Sequence, residues 1–114
     1  MTHPAMFVLA EAEPGRLGEL ARWYAERHLP EMLDVPGIAS ATQYRPVADP
    51  GAEAPASLLT IYRFDTDDAQ DVIAQLAARR HEMSATTALA AATVWLGRDI
   101  PDDYNAAPRR GEHP

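Results

Sequence analysis

Histidine is the side chain best suited to proton chemistry near neutrality in this chain, which has neither cysteine nor lysine. Without cysteine there are no thiolate nucleophiles, thiolate metal sites or disulfides. Without lysine there is no Schiff-base catalysis. The histidines stand at 3, 28, 81 and 113 with no local pairing, so they show no metal-ligand spacing. Asp65, Asp67, Asp68 and Asp71 read as the acidic start of a helix, since the glycine and distal glutamate of a calcium loop are missing. Gly15 and Gly18 form no dinucleotide or phosphate-loop fingerprint, and Ser40, Ser57 and Ser84 lack a nucleophile-elbow setting. Proton transfer in a shaped apolar pocket is the chemistry left.

His28 is the first residue to examine for it. Leu17, Leu20, Ala21, Tyr24 and His28 fall on one stripe of a helix beginning at Pro14, while Arg16, Glu19, Arg22 and Glu26 face away. Leu29 precedes Pro30 and is pushed out of helical geometry, so the helix is expected to end near His28. An imidazole, with an unperturbed pKa of about 6.5, can take and return a proton near neutrality. The same position also suits a side chain capping the last carbonyls. His81, beside Glu82 where a second helix fades, reads as a solvated helix end or, should the chain double back, as a second acid/base group facing His28. Tyr24, Tyr44, Tyr62 and Trp95 can line a cavity and orient a ligand, although each one alone also reads as plain core. Trp23 falls off the inward stripe and is expected to pack under the Pro30 turn. His3 and His113 lie in tails and take no role.

The elements that must position these residues follow from periodicity and breakers. Ala5 to Glu11 and Ser57 to Phe64 read as strands, and Ile38 to Arg45 as another, opened by Pro36-Gly37. One extra helical turn covers Pro30 to Asp34, and Pro46 to Ala56 is a loop. Asp65 to Asp68 cap a helix whose stripe is Ala69, Val72, Ile73, Leu76 and Ala77. Ala91 to Gly97 reads as a fourth strand, with Thr86 to Ala92 open to a helical reading. The order βαββαβ is that of a ferredoxin-like α+β fold, an antiparallel four-stranded sheet with both helices on one face. Leu58, Tyr62 and Phe64 alternate with Leu59 and Ile61, so both sheet faces are apolar and only one has helices. A second copy of the sheet is the simplest cover, which predicts a homodimer.

At 114 residues the chain is one domain's worth, assigned to 1–100 with a flexible tail at 101–114. The formal charge of −7 disfavours nucleic acid as a partner. No apolar run reaches membrane-spanning length, so no membrane partner is expected and the cytoplasm is the expected location.

With Trp23-Tyr24, His28, Pro30, Pro36-Gly37 and Ile61-Tyr62 in these places, the chain resembles the dimeric α+β barrel superfamily and, within it, the EthD-like proteins. The sharp part of the resemblance runs from Trp23 to Gly37. It implies a pocket between sheet and helices in each subunit, with the helix-closing histidine as acid or base. In some relatives a second-strand tyrosine assists, for which Tyr44 is the counterpart here, although it lies farther from Gly37 than in the isomerase-like members. The implied activity is cofactor-free proton transfer on a small organic acid or aromatic, polyketide-like substrate, of isomerase, cyclase, dehydratase or decarboxylase type. The alternatives are a monooxygenase on the same fold, cofactor-free or haem-dependent, and a non-catalytic ligand-binding or assembly dimer.

Overall fold

The computed structural model describes residues 3–100. Strand β1 is Ala5–Ala12, β2 Ile38–Tyr44, β3 Ser57–Phe64 and β4 Leu89–Gly97. Helix α1 is Leu17–Trp23, α2 Leu29–Leu33 and α3 Ala69–Arg79. The sheet is antiparallel throughout with order β2-β3-β1-β4, the ferredoxin-like arrangement. The tail expected at 101–114, with His113, lies outside the described residues.

Alternation decides which sheet residues meet the helices. In β1, Met6, Ala10 and Ala12 are buried; in β3, Leu58, Thr60, Tyr62 and Phe64 are. Register sets Met6 beside Tyr62 on one side and Leu96 on the other. Under the helices the core splits in two. Leu20 and Tyr24 pack on Ala10, Ala12, Leu58 and Ala88, whereas Val72 and Met32 pack on Met6, Ile38, Tyr62 and Phe64. The opposite face carries Phe7, Leu9, Leu59 and Ile61, which are only half-buried.

Two features depart from the expected pattern. The first helix does not stop at His28. Leu29 keeps helical angles, and Tyr24–His28 forms a π-helical turn in which the Leu29 N–H bonds to the Tyr24 carbonyl. Pro30 has no N–H to give the helix, and the widened turn carries the chain past that loss directly into α2. The second departure is a bulge in β2. Ile38 pairs with Phe64 but Ala41 pairs with Tyr62, so three residues of β2 advance against two of β3. The extra residue reverses which side chains of β2 point toward the helices.

Gly37, which opens β2, has a φ of 95°, and a Cβ there would lie 2.7 Å from a Val72 methyl. Glycine at this corner lets β2 and α3 close on each other. At the start of α3, the Asp68 carboxylate accepts from the Asp71 N–H at 3.0 Å, the expected cap.

Candidate functional site

The π-helical turn assembles the site. In an α-helix, residues five apart point roughly 140° away from each other. Here the wider turn brings Trp23 and His28 onto one side, with ring centroids 4.5 Å apart and planes 14° from parallel. Tyr24 closes on the His28 ring edge-to-face at 5.3 Å. Trp23, expected under the Pro30 turn, is therefore a wall of the site. Its signal in the sequence was Pro30 itself, which obliges the preceding turn to rearrange.

These aromatics face a cavity of about 510 Å³ between the sheet and the helices. Met6, Val8 and Tyr62 form its floor, Met32, Leu76 and Met83 its apolar sides, and Arg80 is the one arginine in its wall. Ile73 and Val94, both exposed, mark its mouth between α3 and β4.

Three buried polar atoms among the described residues have no hydrogen-bond partner: Trp23 Nε1, His28 Nδ1 and the Tyr62 hydroxyl. All three belong to side chains lining this cavity. Buried polar groups normally find partners, and leaving one without costs about 1–3 kcal/mol. Three such groups around one apolar space is the pattern of a site awaiting a polar-edged ligand.

The electrostatics suit a neutral base between neutral phenols. Burial lowers the His28 pKa, with the charge of Glu31 pulling the other way. The imidazole is therefore unprotonated at neutrality and free to accept a proton. Burial raises the Tyr24 pKa. It raises that of Tyr62 further, with Tyr24 adding to the effect and the nearby Thr60 hydroxyl working against it, so both phenols stay protonated.

The other residues singled out from the sequence lie elsewhere. Tyr44 follows the β2 bulge, pairs with Leu59 and stands 53% exposed on the helix-free face. Trp95 pairs with Phe7 and stacks on it at 5.4 Å on that same face. His81 follows α3 in a 3₁₀ turn, Arg80–Glu82, and is 75% exposed, 3.6 Å from the Glu82 carboxylate and away from the cavity wall. Of the six, the structure brings together His28, Tyr24 and Tyr62.

A second hollow of about 400 Å³ is lined by His3, Phe7, Ile61, Arg63 and Asp99 among others. None of the unpartnered buried atoms belongs to it. Among the described residues no group of three or more His, Cys, Asp or Glu could hold a metal ion, and no helix is long and apolar enough to cross a membrane.

The sequence matches no protein-family profile and no curated protein. Solved structures do match in fold. The MhuD haem-degrader of Mycobacterium tuberculosis, with two haems bound in its active site, superposes with a TM-score of 0.63 at 19% identity over 87% of this chain and 97% of that one. A monooxygenase from the gene ActVA-Orf6 of Streptomyces coelicolor, in complex with nanaomycin D, gives 0.61 at 14% identity over 95% and 94%. An EthD-like protein from Ralstonia eutropha gives 0.55 at 14% identity over 85% and 92%. The chain thus has the ferredoxin-like fold that these haem-degrader, monooxygenase and EthD-like structures share.

Proposed function

We propose that this protein is a cofactor-independent monooxygenase for a phenolic or otherwise enolisable aromatic compound, with His28 as the base. The observation that carries the proposal is the set of three buried, unpartnered polar atoms on side chains that line one apolar cavity. Trp23 Nε1 can only donate, so the ligand must bring an acceptor oxygen to it. The neutral His28 ring can take a proton from a ligand hydroxyl, and Tyr62, kept neutral by burial, can donate to the oxygen that becomes negative. Met6, Val8, Met32 and Leu76 suit an apolar ring frame.

The chemistry balances without a further reductant. His28 removes the hydroxyl proton, and the electron-rich ring anion reduces dioxygen and binds it at a ring carbon. The O–O bond then breaks, one oxygen staying on the ring and the other leaving as water with the two hydrogens lost from the substrate. A phenol becomes a quinone. Monooxygenases among the structural neighbours support this course over proton transfer alone. Haem, which the mycobacterial neighbour binds, is the rival: His28 is the one histidine in the cavity wall that could hold its iron, and a Soret band on adding haem would move the assignment there.

We propose also that a second copy covers the helix-free face, where Trp95 stays 44% exposed on Phe7 beside Leu9, Leu59 and Ile61.

The test is dioxygen uptake with a panel of hydroxynaphthalenes, wild type against His28→Ala. Uptake matched to quinone formation, reduced on the order of 10²- to 10⁴-fold in the variant with an unchanged far-UV spectrum, is expected. Turnover without oxygen consumption would move the assignment to an isomerase, cyclase, dehydratase or decarboxylase. Binding without turnover would leave a ligand-binding module, and full activity in the variant would remove His28 from the mechanism.

A further inference from the structure

Glu31 lies on α2, three residues after His28. Its carboxylate accepts from the Ser84 N–H at 2.9 and 3.2 Å and from the Ser84 hydroxyl at 2.9 Å. These bonds join residues 53 positions apart and fasten the start of the loop before β4 to the helix that follows the imidazole. Met83, Ser84 and Ala85 in that loop form one wall of the cavity. The far end of the loop is held separately, by Arg16 on the Thr87 carbonyl and hydroxyl and by the Glu13 N–H on the Ala88 carbonyl. Glu31 is therefore the anchor of the cavity end alone.

We propose that Glu31 is a positioning residue of the site, clamping the Met83–Ala85 wall through Ser84 onto the helical turn that carries His28. The inference rests on the cavity being the functional site. Glu31 does not touch a bound ligand in this scheme; it acts through the wall and through the imidazole. A carboxylate taking two N–H and O–H donors at once makes a stiffer tether than neutral hydrogen bonds would. Its charge also works against the loss of basicity that burial imposes on His28. Arg27 and His28 are the charged and titratable groups acting on Glu31 from its own helix, while Ser84 faces it from the loop and its backbone N–H is what chiefly holds the carboxylate below the usual range. His81 and Glu82, just ahead of the loop, pair with each other in solvent.

The test uses the ligand-free protein, so its outcome is separable from the dioxygen assay. Amide exchange is measured at Ser84 and Ala88, and the His28 ring is titrated by NMR, in wild type, Glu31→Ala and Glu31→Gln. In Glu31→Ala the Ser84 amide should exchange faster, on the order of ten- to a hundredfold, while Ala88, whose own N–H donates to the Thr86 hydroxyl, keeps its rate. Glu31→Gln retains an oxygen that can accept from Ser84, so its exchange should rise less. The charge is gone, however, and the His28 midpoint should move to lower pH. A purely structural role for Glu31 would not move that midpoint. Wild-type exchange at Ser84 in Glu31→Ala, or a His28 midpoint unmoved or raised in Glu31→Gln, would overturn the proposal. Should Glu31→Ala not fold, the Glu31→Gln pair of readouts decides alone.

Discussion

Removing the hydroxyl of Tyr62 should make the free protein more stable and the liganded one weaker. The residue is 1% exposed, and its oxygen is buried near the Thr60 hydroxyl without meeting it in bonding geometry. A buried hydroxyl in that state bears its full desolvation cost, about 1–3 kcal/mol, whereas a bonded one contributes about 0.5–1.5 kcal/mol. Phenylalanine keeps the ring on Met6 and Phe64 and leaves a space of one oxygen atom, which offsets part of the gain. Tyr62→Phe should then stabilise by about 1 kcal/mol, a rise in Tm on the order of 5 °C for a domain of this size. The assay is urea unfolding with and without a bound hydroxynaphthalene. Ligand affinity should fall by roughly tenfold, since a hydrogen bond to an ionised oxygen contributes about 1.5 kcal/mol or more. A variant less stable than wild type by about 1 kcal/mol would mean that the hydroxyl is already bonded, to Thr60 two residues away or to water. The claim that the site holds its polar atoms open for a ligand would then fail.

Other outcomes follow from the same geometry. Because burial lowers the His28 pKa, the acidic limb of kcat/KM should have its midpoint below the ordinary value of about 6.5, with activity rising as pH climbs through it. For stability, the unfolded chain binds the His28 proton more readily than the folded one. The His28 contribution is therefore complete above about pH 6.5 and is lost as pH falls through the lowered folded value, which unfolding at stepped pH in wild type and His28→Gln will show. Gly37→Ala forces a side chain into a φ of 95° and a 2.7 Å approach to Val72, and should cost about 2 kcal/mol or more in denaturant unfolding. Trp95→Glu places a charge on the helix-free face and should turn a dimer into a monomer by light scattering, costing more than about 2 kcal/mol of association. The cavity lies on the other side of the sheet, so ligand binding should survive that change.

Strands with one buried face could be read from the sequence because alternation and burial agree. Ser57–Phe64 appears with the expected bounds, and its even-numbered residues all face the core. The cap at Asp68 and the glycine corner at Gly37 were legible for the same reason, since each residue type has one local use there. What failed locally was decided by non-local geometry. Nothing in Ile38 to Tyr44 announces a bulge, yet that single extra residue sends Tyr44 to the face opposite the cavity. Leu29 before Pro30 reads as a helix end by its own preference. The π-helical turn overrides that preference, and so Trp23 joins His28 although 3.6-residue periodicity separates them. β4 is Ala-rich and, apart from its two ends, exposed along its whole length, which leaves little pattern to distinguish strand from helix. Glu31 was invisible because its partner Ser84 lies 53 residues on.

The decisive measurement is a crystal structure of the protein soaked with a hydroxynaphthalene such as 1-naphthol. The ring should lie between the sheet and α3, with its oxygen about 2.6–3.2 Å from the His28 ring nitrogen and within reach of Trp23 Nε1 or the Tyr62 hydroxyl. Density for the compound only on the helix-free face, with Trp23, His28 and Tyr62 bonded to one another or to ordered water, would contradict the assignment.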